Sequence, residues 1–401
     1  MMELLEKELY EELTGNILPF WIDKMQDTEN GGFWGRIDGN NVFHKEANKG
    51  AILNARILWT YSSAYRIFKN PDYLKMAERA YHYILECFLD KECGGLYWEL
   101  DYLGIPVNTK KQTYVQGFAL YGFSEFYRAT GKPEALEMAK QFFYLIEKYA
   151  YDPVNGGYFE AFTRDWQPIE DMRLSEKDAN EKKTMNTHLH VLESYTNLLR
   201  IRQDSEVKVA QQKLVRTFID KIQDRNTNHL KLFFDENWVS KSGIISYGHD
   251  IEASWLLYEA AEVLNEPLLM EEIRQKSLEI LEAALEGLQP DGSLIYESEG
   301  THIDVERHWW VQAEAVAGLV YAYRSSGDKK YLNKAKDCWG YIQKHLIDRK
   351  SGEWYWSVGA HGNRNFSEDK AGFWKCPYHN SRMCMCLRNH GFHMFHPMAN
   401  K

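Results

Sequence analysis

Apolar residues in this chain recur mostly at helical spacing, and the stretches that carry them are of two kinds. In "NPDYLKMAERAYHYILECFLD" the apolar positions Tyr73, Met76, Ala80, Ile84 and Phe88 share one face and leave the charged positions to solvent. Asn70 and Pro71 supply the helix start. The later stretch "QTYVQGFALYGFSEFYRATG" is more apolar, carries scattered small residues and ends at Gly131, the pattern of a buried helix. The contrast repeats along the chain. Amphipathic helices are predicted over 5–25, 72–89, 133–149, 206–223, 267–287 and 329–347, and more buried ones over 50–66, 112–129, 184–201, 249–264, 308–325 and 377–390.

Between each amphipathic helix and the next buried one lies a short segment of another kind. "DKECGGLYWEL" has a double glycine that punctuates the chain, then Leu96, Tyr97 and Trp98, which favour a strand. "GLYWELDYLGIPV" reads as a hairpin. Copies begin at Asp27 ("DTENGGFWGRI") and Asp152 ("DPVNGGYFEAF"). Worn copies contain Asp291 ("QPDGSLIYESE") and Asp348 ("DRKSGEWYWSV"), and "NTNHLKLFFDE" fits a sixth without its glycines. Asp27 and Asp90 are 63 residues apart, Asp90 and Asp152 62, Asp152 and Asp291 139, and Asp291 and Asp348 57. Six units of about 60 residues therefore fill the chain. Alternating solvent-facing and buried helices in six units predict an all-α fold, an (α/α)6 barrel of twelve helices formed by residues 1–401 as one domain. An open solenoid is the competing arrangement, but it would carry distinct polar caps, and the ends show none. Every hairpin would then join the C-end of an outer helix to the N-end of an inner one. All would gather at one mouth around a central pocket.

Composition narrows what such a pocket takes. The 401 residues include 13 Trp and 25 Tyr, an aromatic share of 14%, suited to walls that stack on ring-shaped ligands such as carbohydrate. The formal net charge of -10, without a basic stripe, argues against nucleic acid. No run of about 18 apolar residues predicts a membrane helix. The start, "MMELLEKELYEEL", lacks the basic and apolar regions of a signal peptide, and the six cysteines show no disulfide spacing. A cytoplasmic monomer with reduced thiols is the expectation.

Candidate chemistry lies where buried helices begin. "GHDIEASWLLYEA" puts His249 and Glu252 three apart on one face, with Asp250 a candidate cap and Glu252 placed to orient the imidazole. "GFWKCPYHNSRMC" carries His379 just after Pro377, with Trp374 five residues earlier. "TMNTHLHVLESY" puts Asn186 and His190 on one face and turns His188 elsewhere. Arg56 lies in an otherwise apolar helix, where an unpaired guanidinium is costly, so it faces a polar pocket or a carboxylate. "RHWWVQAEAV" offers Trp309, Trp310 and Glu314. Each motif taken singly fits a satisfied structural residue equally well. Their convergence, one arginine and three histidines on four inner helices near one mouth, is the signal. No H-E-x-x-H or paired C-x-x-C points to a metal, and no G-x-S-x-G points to a serine nucleophile. Asp178, Glu252, Glu306 and Glu314 could serve a glycosidase, yet histidines, not an acid pair, dominate the inner helices. Two histidines across a pocket suit proton removal beside a carbonyl, with Arg56 holding the enediolate. C2 of an open-chain reducing sugar is such a carbon.

The strings "NARILWTYS", "MNTHLHVLE", "GHDIEASWLL", "WWVQAEA" and "WKCPYHNSRMC" resemble the N-acylglucosamine 2-epimerase superfamily over nearly the full length, and within it the cellobiose 2-epimerase branch. The resemblance implies the same barrel and reversible C2 epimerisation of the reducing-end sugar of β-1,4-linked disaccharides. It implies an acid/base pair at His249 and His379, a third pocket histidine at His190, a supporting carboxylate at Glu252 and a sugar-binding Arg56. Asn186, Tyr114, Asp178, Trp309, Trp310 and Trp374 match pocket positions. The branch implies no metal and no nucleotide. Mannose isomerase and N-acylglucosamine 2-epimerase activities are the alternatives within the superfamily, and a sugar-binding protein is the alternative outside catalysis.

Overall fold

A computed structural model describes residues 2–387. In chain order the helices are α1 (Met2–Glu12), α2 (Leu18–Lys24), α3 (Ala51–Phe68), α4 (Pro71–Tyr83), α5 (Thr113–Thr130), α6 (Pro133–Leu145), α7 (Met185–Ile201), α8 (Ser205–Thr217), α9 (Tyr247–Leu264), α10 (Pro267–Ala284), α11 (Trp309–Ser326), α12 (Lys329–Tyr341) and α13 (His379–Cys386). A five-residue π-helical segment, Leu13–Ile17, links α1 to α2, so the two form one outer helix. Similar π-helical turns end α4, α6, α8 and α12. The inner helices α3, α5, α7, α9, α11 and α13 each pack on the next, and α13 returns to α3. That closure makes the molecule an (α/α)6 barrel rather than an open solenoid. Residues 388–390 of the last expected helix lie outside the described residues.

Burial follows from position in the ring. An inner helix touches a neighbour on either side and an outer helix behind, so Ala51 to Ala64 of α3 and Thr113 to Phe126 of α5 are buried without interruption. Outer helices start at Pro71, Pro133 and Pro267, where a missing N–H costs nothing, and inner helices α5 and α11 stop at Gly131 and Gly327 in the left-handed region. Among the described residues no helix is long and apolar enough to cross a membrane.

The loops contain small hairpins, as at Glu99–Leu100 against Pro106–Asn108, but their larger role is to tie successive units together. The strand after each outer helix pairs with the two or three residues that lead into the preceding inner helix: Glu99–Leu100 with Lys49–Gly50, Ala161–Phe162 with Lys111–Gln112, Phe233–Phe234 with Lys183–Thr184, Glu297–Glu299 with Ile244–Ser246, and Ser357–Val358 with Arg307–His308. Ile37–Asp38 with Asp369–Ala371 closes the circle between first and last units.

The repeat aspartates explain their own spacing. Asp27, Asp90, Asp152 and Asp348 each accept the N–H groups two and three residues on, which shapes the turn. Each also binds a buried lysine on the strand that follows its own loop toward the next inner helix, a strand that pairs with the following unit's loop: Lys49, Lys111, Lys183 and Lys370 at 2.7–2.9 Å. The fourth residue of four inner helices then takes the N–H just after the turn: Gln116 from Leu96, His188 from Tyr158, Asp250 from Leu230 and Gln312 from Leu294. Asp250 is therefore a loop anchor, not a helix cap, and it also pairs with His229 at 2.7 Å.

Candidate active site

The first two turns of the inner helices deliver the candidate residues to one mouth. Arg56 is the sixth residue of α3, Tyr114 the second of α5, Asn186 the second and His190 the sixth of α7. His249 is the third of α9, Trp310 the second of α11, and His379 opens α13. Arg56 is buried, donates to the Tyr114 hydroxyl at 2.8 Å and lies over the Phe118 and Tyr378 rings at 4.3 and 4.8 Å. Its Nε is buried and meets no protein acceptor. His190 packs against Tyr114, ring centroids 4.8 Å apart. The indole of Trp310 lies 4.8 Å from the His249 ring and 5.6 Å from the His379 ring, so one aromatic surface carries both histidines.

Each of these histidines has one ring nitrogen occupied. His190 Nδ1 is 2.6 Å from Glu193 Oε1, His379 Nδ1 is 2.7 Å from Glu314 Oε1, and His249 Nδ1 is 2.8 Å from Ser246 Oγ. Nε2 is the remaining basic atom of each. Burial disfavours the imidazolium and pushes His190 and His249 down to about 3 and His379 well below its ordinary value. All three rings are accordingly neutral near neutral pH, with a lone pair available to take a proton.

Beneath them one guanidinium organises three carboxylates. Arg382 donates to Glu193, to Glu252 and to Glu314, the last at 2.7 Å, and its plane rests on Trp255 and Tyr378. Burial raises Glu193 and Glu314, and Arg382 opposes that rise by favouring their ionised forms. The expected support of His249 by Glu252 is corrected: Glu252 Oε1 faces Arg382 and stands 3.8 Å from His379 Nδ1, while His249 turns to Ser246. A three-residue spacing brings two side chains to one helix face but does not choose their partners: Glu252 meets Arg382 from α13, while His249 meets Ser246 at the start of its own helix. Arg382 and Glu193 went unnoticed in the sequence. Their signal was present, since each lies three residues after a pocket histidine.

The remaining candidates divide. Asn186 is half-buried and its Oδ1 pairs with no protein group. Trp374 is half-buried in an aromatic cluster with Trp98, Phe373 and Tyr114. Trp309 is a buried wall residue packed on Trp356 under the Lys375 ammonium. Asp178 lies in the loop before α7, where it accepts from the Ser175 N–H and hydroxyl and raises Glu297. His188 is turned away, as its spacing predicts. It bonds Thr184 O at 2.6 Å and the Tyr158 N–H, and serves the scaffold.

The model of the family N-acylglucosamine 2-epimerase (GlcNAc 2-epimerase) matches residues 32–382, a span that holds every one of these side chains. The chain belongs to this family. A cellobiose 2-epimerase of Bacteroides fragilis is 54% identical over 389 residues, covering 96% of this chain and 99% of its own. One of Ruminococcus albus is 42% identical, covering 94% and 97%. The solved structure of the cellobiose 2-epimerase from Bacillus thermoamylovorans B4167 superposes with a TM-score of 0.92 at 41% identity, covering 95% of this chain and 98% of that one.

The family site offers one grouping with metal-ligand character among the described residues: Glu252, Glu314 and His379 bring ligand atoms within 4.8 Å of one another. Arg382 already donates to both carboxylates, so a guanidinium supplies the positive charge an ion would bring. The same ion pairs hold Glu252 and Glu314 away from the roles of a glycosidase acid and nucleophile, which must flank a scissile bond.

Proposed function

We propose that this protein is a carbohydrate epimerase acting as a cellobiose 2-epimerase, inverting C2 of the reducing-end glucose in β-1,4-linked disaccharides. The observation that carries the reading is the pair of neutral histidines, His249 and His379, on one indole surface beside Arg56. In the open-chain sugar the C2 hydrogen is acidic because its carbanion is conjugated with the C1 carbonyl. Nε2 of one histidine takes that hydrogen. The planar cis-enediolate is stabilised by Arg56, whose Nε is buried without a protein acceptor, and by Tyr114 beside it. The other histidine, which enters the step carrying at Nε2 a proton taken up from solvent, gives it to the opposite face and C2 is inverted. The first histidine then releases its proton to solvent. An imidazolium is disfavoured in this buried site, so the charged stage depends on nearby negative charge. The enediolate provides it for both rings, and Glu314 for His379. His190, held by Glu193 beside Tyr114, is placed to exchange the hydroxyl proton when the sugar ring opens. The reducing-end sugar therefore sits deep and the second sugar lies toward the loops.

The test is incubation with cellobiose in heavy water. Deuterium should enter C2 of the reducing-end residue as glucosyl-mannose accumulates. A protein that only binds sugar leaves C2 unlabelled, and that result would sink the reading. Assaying lactose, mannose and N-acetylglucosamine in parallel decides the branch: faster turnover of a free monosaccharide replaces the disaccharide assignment.

A further inference from the structure

His190 and His379 each lean on a carboxylate, whereas His249 leans on a serine, and that serine is unusual for its place. Ser246 is the N-cap of α9, where a hydroxyl ordinarily accepts a backbone N–H of the first turn, yet it makes no such bond. Thr184, at the same place before α7, does cap, accepting from Thr187 N at 3.1 Å. The Ser246 hydroxyl is instead 2.8 Å from His249 Nδ1. Directly opposite Ser246 in the antiparallel pair stands Glu297, so their side chains share a face at close range. From there the Glu297 carboxylate feels the Ser246 hydroxyl, which favours its ionised form.

We propose that Ser246 and Glu297 are positioning residues that set the tautomer of His249. Ionised Glu297 can only accept, so it takes the hydroxyl hydrogen of Ser246. Ser246 Oγ then presents a lone pair to His249, the ring hydrogen must sit on Nδ1, and the Nε2 lone pair faces the sugar. When Glu297 is protonated, the hydroxyl is free to turn and donate to Nδ1, which moves the ring hydrogen to Nε2 and removes the base. The groups facing Glu297 are Tyr296 beside it, Asp304 on the paired strand, Asp178 from the loop before α7 and Ser246 itself. Burial first, then the two aspartates, push Glu297 up to about 7 against the opposing influence of the Ser246 and Tyr296 hydroxyls. The switch therefore lies near neutral pH, with the active arrangement on the alkaline side.

This inference rests on His249 as an acid/base group, and the experiment separates the two. C2 deuterium exchange and kcat/KM on cellobiose are measured across pH for wild type, Ser246→Ala, Ser246→Thr, Glu297→Gln and His249→Ala, with Tm for each. Ser246→Ala is expected to lower kcat by about 10- to 100-fold, the usual effect of losing a group that orients an imidazole. Ser246→Thr, which restores the hydroxyl, should recover most of that loss. Glu297→Gln keeps an acceptor that cannot titrate, so the fall in kcat/KM below about pH 7 should disappear. Ser246→Ala with wild-type kcat, Thr as poor as Ala, or an unchanged acid limb in Glu297→Gln overturns the relay. If Ser246→Ala does not fold, the threonine variant and the Glu297→Gln profile still decide. An active His249→Ala enzyme removes the underlying reading instead, whereas an inactive one beside a fully active Ser246→Ala overturns the relay alone.

Discussion

His249 and His379 differ from the scaffold histidine His188 in what they face. His188 has both ring nitrogens bonded to the scaffold, whereas His249 and His379 each spend one and keep one. Replacing either by alanine should cut turnover by at least about 10²–10⁴-fold, because an opposed pair must both remove and return the proton. Circular dichroism and Tm should stay near wild type, and a variant retaining wild-type kcat would strip that histidine of its role. Trp374 poses a different question, since its half-buried ring lies in a cluster with Trp98 and Tyr114 at the mouth. As a sugar platform, Trp374→Ala should lower kcat/KM on cellobiose by about tenfold or more with little change in Tm. A large Tm drop with kcat/KM preserved at low temperature would make it a packing residue.

Four of the six loops are held by a device that repeats around the ring: an aspartate that shapes the turn and a buried lysine that neutralises it. Asp27 and Lys49 are wholly enclosed, and Lys49 also donates to Gly31 O. Taking away one partner strands the other's charge in a low-dielectric site. Lys49→Met is therefore expected to destabilise by about 3–5 kcal/mol in denaturant titration. Adding Asp27→Asn should restore much of it, since an amide oxygen still accepts from Glu29 and Asn30 without the charge. A double variant no more stable than the single would mean that the charge pair is not the source of the loss. The fourth unit shows the device is optional, with Ile245 at the lysine's place and Asp224 bonded to backbone N–H groups of Asn226 and Thr227.

Closure makes the units interdependent. Glu12 of the first outer helix accepts from Trp354 Nε1 of the last loop, Lys24 donates to Ser351 O, and Ile37–Asp38 pairs with Asp369–Ala371. We therefore propose that the chain melts as one cooperative unit, and its pH dependence follows from histidines buried neutral. His188 and His308 are held at about 4 and His190 and His249 at about 3, each chiefly by burial. The unfolded chain protonates histidine near pH 6.5, so between about 6.5 and 3 it binds more protons than the folded one, and stability falls as pH falls. Calorimetry should show a single transition whose Tm drops below about pH 6.5. Two separated transitions would divide the ring into independent domains, and an unchanged Tm down to pH 4 would mean these histidines charge without cost.

Much of this was legible in the sequence, for a definite reason. Helix periodicity, the Asp–Gly–Gly turns and their even spacing are local features, and six copies of one local solution leave few ways to bury six apolar helices other than a ring. The order and kind of the twelve helices, and the placement of His249, His379, His190, Arg56 and Trp310 at inner-helix starts, follow from that periodicity, although among the described residues the last helix covers only His379–Cys386 of the expected 377–390. Which side chains meet could not be read the same way, because contacts across the barrel depend on helix tilt and rotation, to which spacing along one helix is blind. Only the folded ring sends Glu252 to Arg382 and not to His249, hangs three carboxylates from one guanidinium and sets Glu297 opposite Ser246. Sequence alone determined which elements form and where chemistry gathers. Tertiary structure decided the partner of every charged and titratable group, since desolvation and pairing exist only once distant segments enclose them.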